Sequence, residues 1–149
     1  MRRHYGPRFR VLHDCTDKEI TGALAEMELT AAQGRILAFL SRCDQPPCPK
    51  DIEEEFGLTH PTVSGLLSRL EKKQFIELCP DPDDKRCKRV ILLEKGEACN
   101  QSMRTTIDSI EKKMVDGFSP EEEQQFTALL DRAISNMGGK LRRPCPKEE

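Results

Sequence analysis

Between Lys50 and Leu93 the spacing of apolar side chains changes from helical to extended, which leaves few folds open to the chain. Ile52 and Phe56 lie four apart in the short acidic run Lys50 to Phe56, on one face of a helix that Gly57 ends. Thr59 is placed to cap a second helix, Pro61 falls in its first turn, and Val63, Leu66, Leu67 and Leu70 form its inner face. Phe75 to Cys79 and Arg89 to Leu93 read as two strands around a turn at Pro80 to Asp84. A short helix, a glycine turn, a second helix and a hairpin in direct succession predict a winged helix-turn-helix.

The flanks are helical. Arg8 to Met27 carries an apolar stripe of Phe9, Leu12, Ile20, Leu24 and Met27, with a polar stretch in its middle. Thr30 with Gln33 gives a capping-box pattern for a helix that buries Ile36, Leu37, Phe39 and Leu40. Three prolines between Asp44 and Pro49 make the following segment a connector. A long helix runs from Glu94 to about Gly117, and Ser119-Pro120-Glu121-Glu122 opens a last one that Gly138-Gly139 stops. The fold class is therefore mainly α, about six helices plus a β-hairpin wing.

Once the apolar positions of the second helix of the pair are turned inward, Thr59, His60, Pro61, Thr62, Ser64, Gly65, Ser68 and Arg69 remain outside, with Lys72 beyond them. Small hydroxyl residues and a glycine suit close approach to the roughly 12 Å-wide major groove of duplex DNA, and the helix N-terminus favours phosphate. The hairpin places Lys85, Arg86, Lys88 and Arg89 within five residues. From His60 to Arg89 there are seven basic side chains against five acidic ones, in a chain whose net charge is −2. The weak excess sits where DNA would lie, while Asp51 to Glu55 is acidic. Few phosphate contacts per subunit imply that affinity needs a dimer.

The run from Leu58 to Ile76 resembles the recognition helix and first wing strand of the MarR family of regulators. Asp81-Pro82-Asp83-Asp84-Lys85-Arg86, then Val90-Ile91-Leu92 and Glu94-Lys95-Gly96, resembles that family's wing and its exit into a long helix. The likeness spans about Glu28 to Gly96. It implies a two-fold homodimer binding a pseudo-palindromic double-stranded DNA operator, a repressor released by a small-molecule or redox signal. It further implies an N-terminal arm and first dimerisation helix at 1–29, a DNA-binding domain at 30–93, dimerisation helices at 94–138 and a polar tail at 139–149. Arg86 would enter the minor groove, steadied by Asp84, and an effector pocket would lie among the first, second and fifth helices. Two positions depart from the pattern. Glu53 stands where such units usually carry alanine to let the helices pack closely, and Leu93 replaces the threonine that commonly caps the long helix.

Seven cysteines form an odd, scattered set, and reduced thiols are expected in a chain without an export signal. The N-terminus has no apolar stretch behind its positive charges and no run approaches a bilayer span, so a cytoplasmic protein without membrane contact is expected. Cys79 and Cys87 flank the wing tip and are a candidate redox pair if they face one another across the hairpin. Cys15 reads as packing, and Cys43 with Cys48 lacks the further ligands of a zinc set. No glycine-rich phosphate loop, nucleophile elbow or zinc signature is present, so neither catalysis, metal nor cofactor is expected. The alternative is a dimeric winged-helix adaptor for proteins, which would tend to expose apolar side chains where this chain places Ser64, Ser68, Arg69 and Lys72.

Overall fold

The computed structural model describes residues 4–140 and consists there of six helices and one two-stranded sheet. The helices are α1 (Gly6–Glu26), α2 (Ala31–Leu40), α3 (Pro49–Phe56), α4 (His60–Lys72), α5 (Glu94–Met114) and α6 (Pro120–Asn136). Strands β1 (Ile76–Pro80) and β2 (Lys88–Leu92) form the antiparallel hairpin between α4 and α5, with Leu78 opposite Val90. The predicted order is the observed one: a mainly α winged helix. None of the helices among the described residues is long and apolar enough to cross a membrane.

Two compact units divide the chain after Asp108, a point inside α5. The first holds the winged helix. Its core is built from Leu24 of α1, Ile36, Leu37 and Leu40 of α2, Ile52 of α3, Val63, Leu67 and Leu70 of α4, and Phe75, Ile76 and Val90 of the hairpin, closed by Cys99 of α5. These are the positions that helical and extended periodicity turn inward, and burying each large aliphatic side chain contributes about 1.5–3 kcal/mol. Asn100 is buried with them and donates to the Leu37 carbonyl at 2.9 Å, which ties α5 to α2.

Local signals account for the helix ends. The Gln33 N–H donates to Thr30 Oγ1 while the Thr30 N–H donates to Gln33 Oε1, so the expected capping box is formed. Gly57 adopts φ +63°, the left-handed conformation that ends α3 and makes the turn into α4. Thr59 occupies the cap position of α4 in an extended conformation, but its hydroxyl pairs with that of Thr62 at 2.9 Å and accepts no backbone N–H. Leu93 offers no side-chain cap to α5. Its N–H donates to the Phe75 carbonyl at 3.0 Å, and Glu94 and Glu97 place carboxylates in the first turn instead.

The approach of α5 to the hairpin depends on Gly96. A Cβ there would lie 2.6 Å from the Phe75 carbonyl oxygen and 2.5 Å from Leu92 Cδ1. Gly96→Ala is therefore expected to lower stability by roughly 1–3 kcal/mol in urea denaturation, because a backbone atom must move. An unchanged midpoint would show that the contact is loose.

The apolar stripe of α1 is used unevenly within the chain. The helix is continuous through its polar middle, but only the C-terminal part of its stripe packs: Leu24 is buried, and Ile20 and Met27 lie against the core. Phe9 and Leu12 are exposed, as are Tyr5 and Val11. In the second unit, the Ser119 hydroxyl accepts the Glu122 N–H and the Glu122 carboxylate accepts the Ser119 N–H, so α6 opens with the expected cap. Phe118 meets Phe126 edge to face at 5.7 Å. No residue of α6 is buried, and Leu129 is 60% exposed.

Candidate nucleic-acid interface

Helix α4 is oriented by the side it buries. Val63, Leu67 and Leu70 are almost fully enclosed, which forces His60, Pro61, Thr62, Ser64, Ser68, Arg69 and Lys72 to the surface together with the preceding Thr59. Gly65 is half-buried at the edge of this face. Beside it, His60, Ser64 and Ser68 share a groove of about 660 Å³ with Arg86 and Lys88 of the wing, floored by Leu67 and Leu78. Helix and hairpin thus bring together residues 18 to 28 positions apart along the chain that spacing alone leaves separate.

The wing is a folded turn stiffened by two aspartates. Asp81 Oδ1 accepts the Asp83 N–H at 2.9 Å, and Asp84 Oδ1 accepts the Arg86 N–H at 3.0 Å. Asp84 therefore steadies Arg86 through the backbone, leaving the guanidinium outside. Lys85, Arg86 and Lys88 are all exposed.

Arg89 behaves differently from its neighbours. Its Nε donates to the buried Asp81 carboxylate at 2.6 Å and its Nη1 to the Pro46 carbonyl at 3.2 Å. The Asp83 N–H and the Arg89 guanidinium hold the Asp81 carboxyl below the ordinary carboxylate range, against the opposing effect of burial. Arg89 thus braces the turn end of the hairpin against the α2–α3 connector, and the cationic cluster expected within five residues loses one member to this structural pair.

The expected juxtaposition of Cys79 and Cys87 is also corrected. In the hairpin register Cys79 stands opposite Arg89, and the Cys87 carbonyl accepts the N–H of Asp81, so the two thiols are offset by two positions. Both are free. Partial burial, then the Glu77 carboxylate, pushes the Cys79 thiol up, away from the reactive thiolate. Cys43 and Cys48 are half-buried free thiols, likewise pushed up chiefly by burial, and Cys15 is exposed where packing was expected.

Glu53 has a role that spacing did not show. The side chain is 21% exposed, and Oε1 lies 2.6 Å from Nδ1 of His60, the first residue of α4. The larger residue is accommodated because its carboxylate reaches to α4 instead of lying between the helices. A carboxylate four residues before the turn glycine and a histidine three after it is the signal that was available.

Residues 28–86 match the family model described as MarR family. Over this segment the chain is similar to the MarR family, and its fold there is a winged helix. Solved structures agree with this over nearly the whole chain. A Staphylococcus aureus MepR–DNA complex is 29% identical, covering 87% of this chain and 96% of MepR with a TM-score of 0.74. MepR itself, described as a transcription regulator of the Staphylococcus aureus multidrug efflux pump MepA, gives 27% identity, 91% and 99% coverage and a TM-score of 0.82. A Clostridium acetobutylicum protein assigned to the MarR family of transcriptional regulators gives 25%, 89% and 98%, with 0.76. The matched segment contains all of α4 and the wing tip through Arg86, and Lys88 lies just beyond it.

Proposed function

We propose that this chain is a non-enzymatic transcription regulator that binds a pseudo-palindromic duplex as a homodimer and acts as a repressor. One observation carries the proposal: the polar face of α4 and the exposed cations of the wing bound one groove, in which Lys50, Arg86 and Lys88 outnumber Glu53 and Glu71. Thr59, His60, Pro61, Thr62, Ser64, Gly65, Ser68 and Arg69 would face the major groove, with Lys72 at phosphate. Lys85, Arg86 and Lys88 would supply wing contacts, with Asp84 holding the turn. The similarity to MepR, solved on DNA, supports the same mode of docking. The exposed face carries hydroxyls and cations where a protein-binding adaptor would present apolar side chains.

The apolar residues left outside at the N-terminal half of α1, Tyr5, Phe9, Val11 and Leu12, together with Leu129 of α6, support dimerisation through the terminal helices. Release would follow from a ligand in the cavity of about 460 Å³ between α1, α2 and α5, where Ile20, Leu24 and Met103 supply apolar walls and Asn100, Arg35 and Arg104 polar ones.

Fluorescence anisotropy of the full chain on duplex DNA flanking its own gene, at two salt concentrations and against a non-matching duplex, tests the proposal. Tighter binding to the flanking duplex, weakening steeply as salt rises, is expected. Equal, salt-insensitive signals from both duplexes would remove it.

A further inference from the structure

Glu53 and His60 form a dyad at the leading edge of α4, and its chemistry restricts what the imidazole presents outward. Glu53 Oε1 and His60 Nδ1 are 2.6 Å apart. An ionised carboxylate has only acceptor sites, so the proton of this hydrogen bond belongs to the imidazole, on Nδ1. In the neutral ring the second nitrogen, Nε2, then holds a lone pair and no hydrogen. The carboxylate end of the dyad is 21% exposed and the imidazole 76% exposed. The ring is thus anchored at Nδ1 and open at Nε2, in the groove it shares with Ser64, Ser68 and Arg86.

A free acceptor at this place selects between base edges. In the major groove cytosine and adenine present an exocyclic amino donor, whereas guanine offers N7 and O6 acceptors and thymine an O4 acceptor and a methyl group. A lone-pair nitrogen also repels phosphate oxygens, so neutral His60 is poorly suited to a backbone contact. We propose that Glu53 is a positioning residue for base readout, fixing the neutral imidazole of His60 as a hydrogen-bond acceptor that selects cytosine or adenine on the strand it faces; a protonated ring would donate from Nε2 instead and reverse the preference. The inference rests on the DNA-binding function proposed above. It explains why a carboxylate occupies a helix-packing position: Glu53 gives up close apolar packing and sets the tautomer of the residue that enters the groove first.

The test is selection from a randomised duplex library with the full chain, comparing wild type, Glu53→Gln and His60→Ala by sequencing the bound pool. Glutamine is near-isosteric, but its amide can donate as well as accept and so no longer dictates where the imidazole proton resides. Wild type is expected to enrich cytosine or adenine about three- to tenfold at one position of each half-site, the discrimination of a single neutral hydrogen bond. Both variants lose that enrichment and keep the rest of the motif. Thermal unfolding followed by circular dichroism checks that each variant is folded, and His60→Ala, at an exposed site, carries the test alone if Glu53→Gln is not. Enrichment retained in Glu53→Gln, no positional change in His60→Ala, or a wild-type preference for guanine or thymine there overturns the inference. Failure of the wild type to enrich any motif would instead count against DNA reading itself.

Discussion

Leu37→Ala is expected to lower the free energy of unfolding by about 2–5 kcal/mol, the cost of a large-to-small change at an enclosed site. Leu37 has no exposed surface and lies in the middle of the core that α2 shares with α1, α4 and the hairpin. Its backbone carbonyl also receives the amide of the buried Asn100, so collapse of α2 into the cavity would break a polar contact as well as apolar ones. Relaxation is thereby limited, and the loss should fall toward the upper end of that range. Because domains of this size are stable by only about 5–15 kcal/mol, the variant should show a large shift in its urea midpoint with little change in slope. A loss under about 1 kcal/mol would mean that α2 is not the centre of the core.

Arg86→Ala should act almost entirely on DNA. The side chain is exposed, and the contact that shapes the turn comes from its backbone N–H to Asp84, which alanine retains. Stability should therefore stay within about 0.5 kcal/mol. Binding should weaken on every duplex, and the dependence of log affinity on log salt should become shallower by about one for each subunit bound. Anisotropy titrations across a salt series measure both quantities. An unchanged slope would show that Arg86 does not touch the backbone or the minor groove, which would remove the wing from the interface. Arg89 is the instructive contrast: it is equally cationic in sequence, but its guanidinium is bound to Asp81 and the Pro46 carbonyl.

Much of this architecture follows from rules that act over three or four residues. The inward set of α4, the glycine turn at φ +63° and the capping boxes at Thr30 and Ser119 each follow from side chains within one helical turn. Other features depend on partners far along the chain. The Lys73 ammonium donates to the Glu28 carbonyl and the Asn100 amide to that of Leu37, contacts that span 45 and 63 positions. Gln74 takes φ +63° without being glycine, so no residue type announced that turn.

Element order, helix ends and the exposed face of α4 were determined by the sequence by itself, because periodicity and caps are local and each residue's preference reinforces its neighbours'. Which basic residues remain available to a ligand, whether two cysteines meet, and what a glutamate does at a helix crossing were decided only by the tertiary structure. Those outcomes turn on distances of a few ångströms between separate segments, and hairpin register and helix approach set such distances only when the core closes.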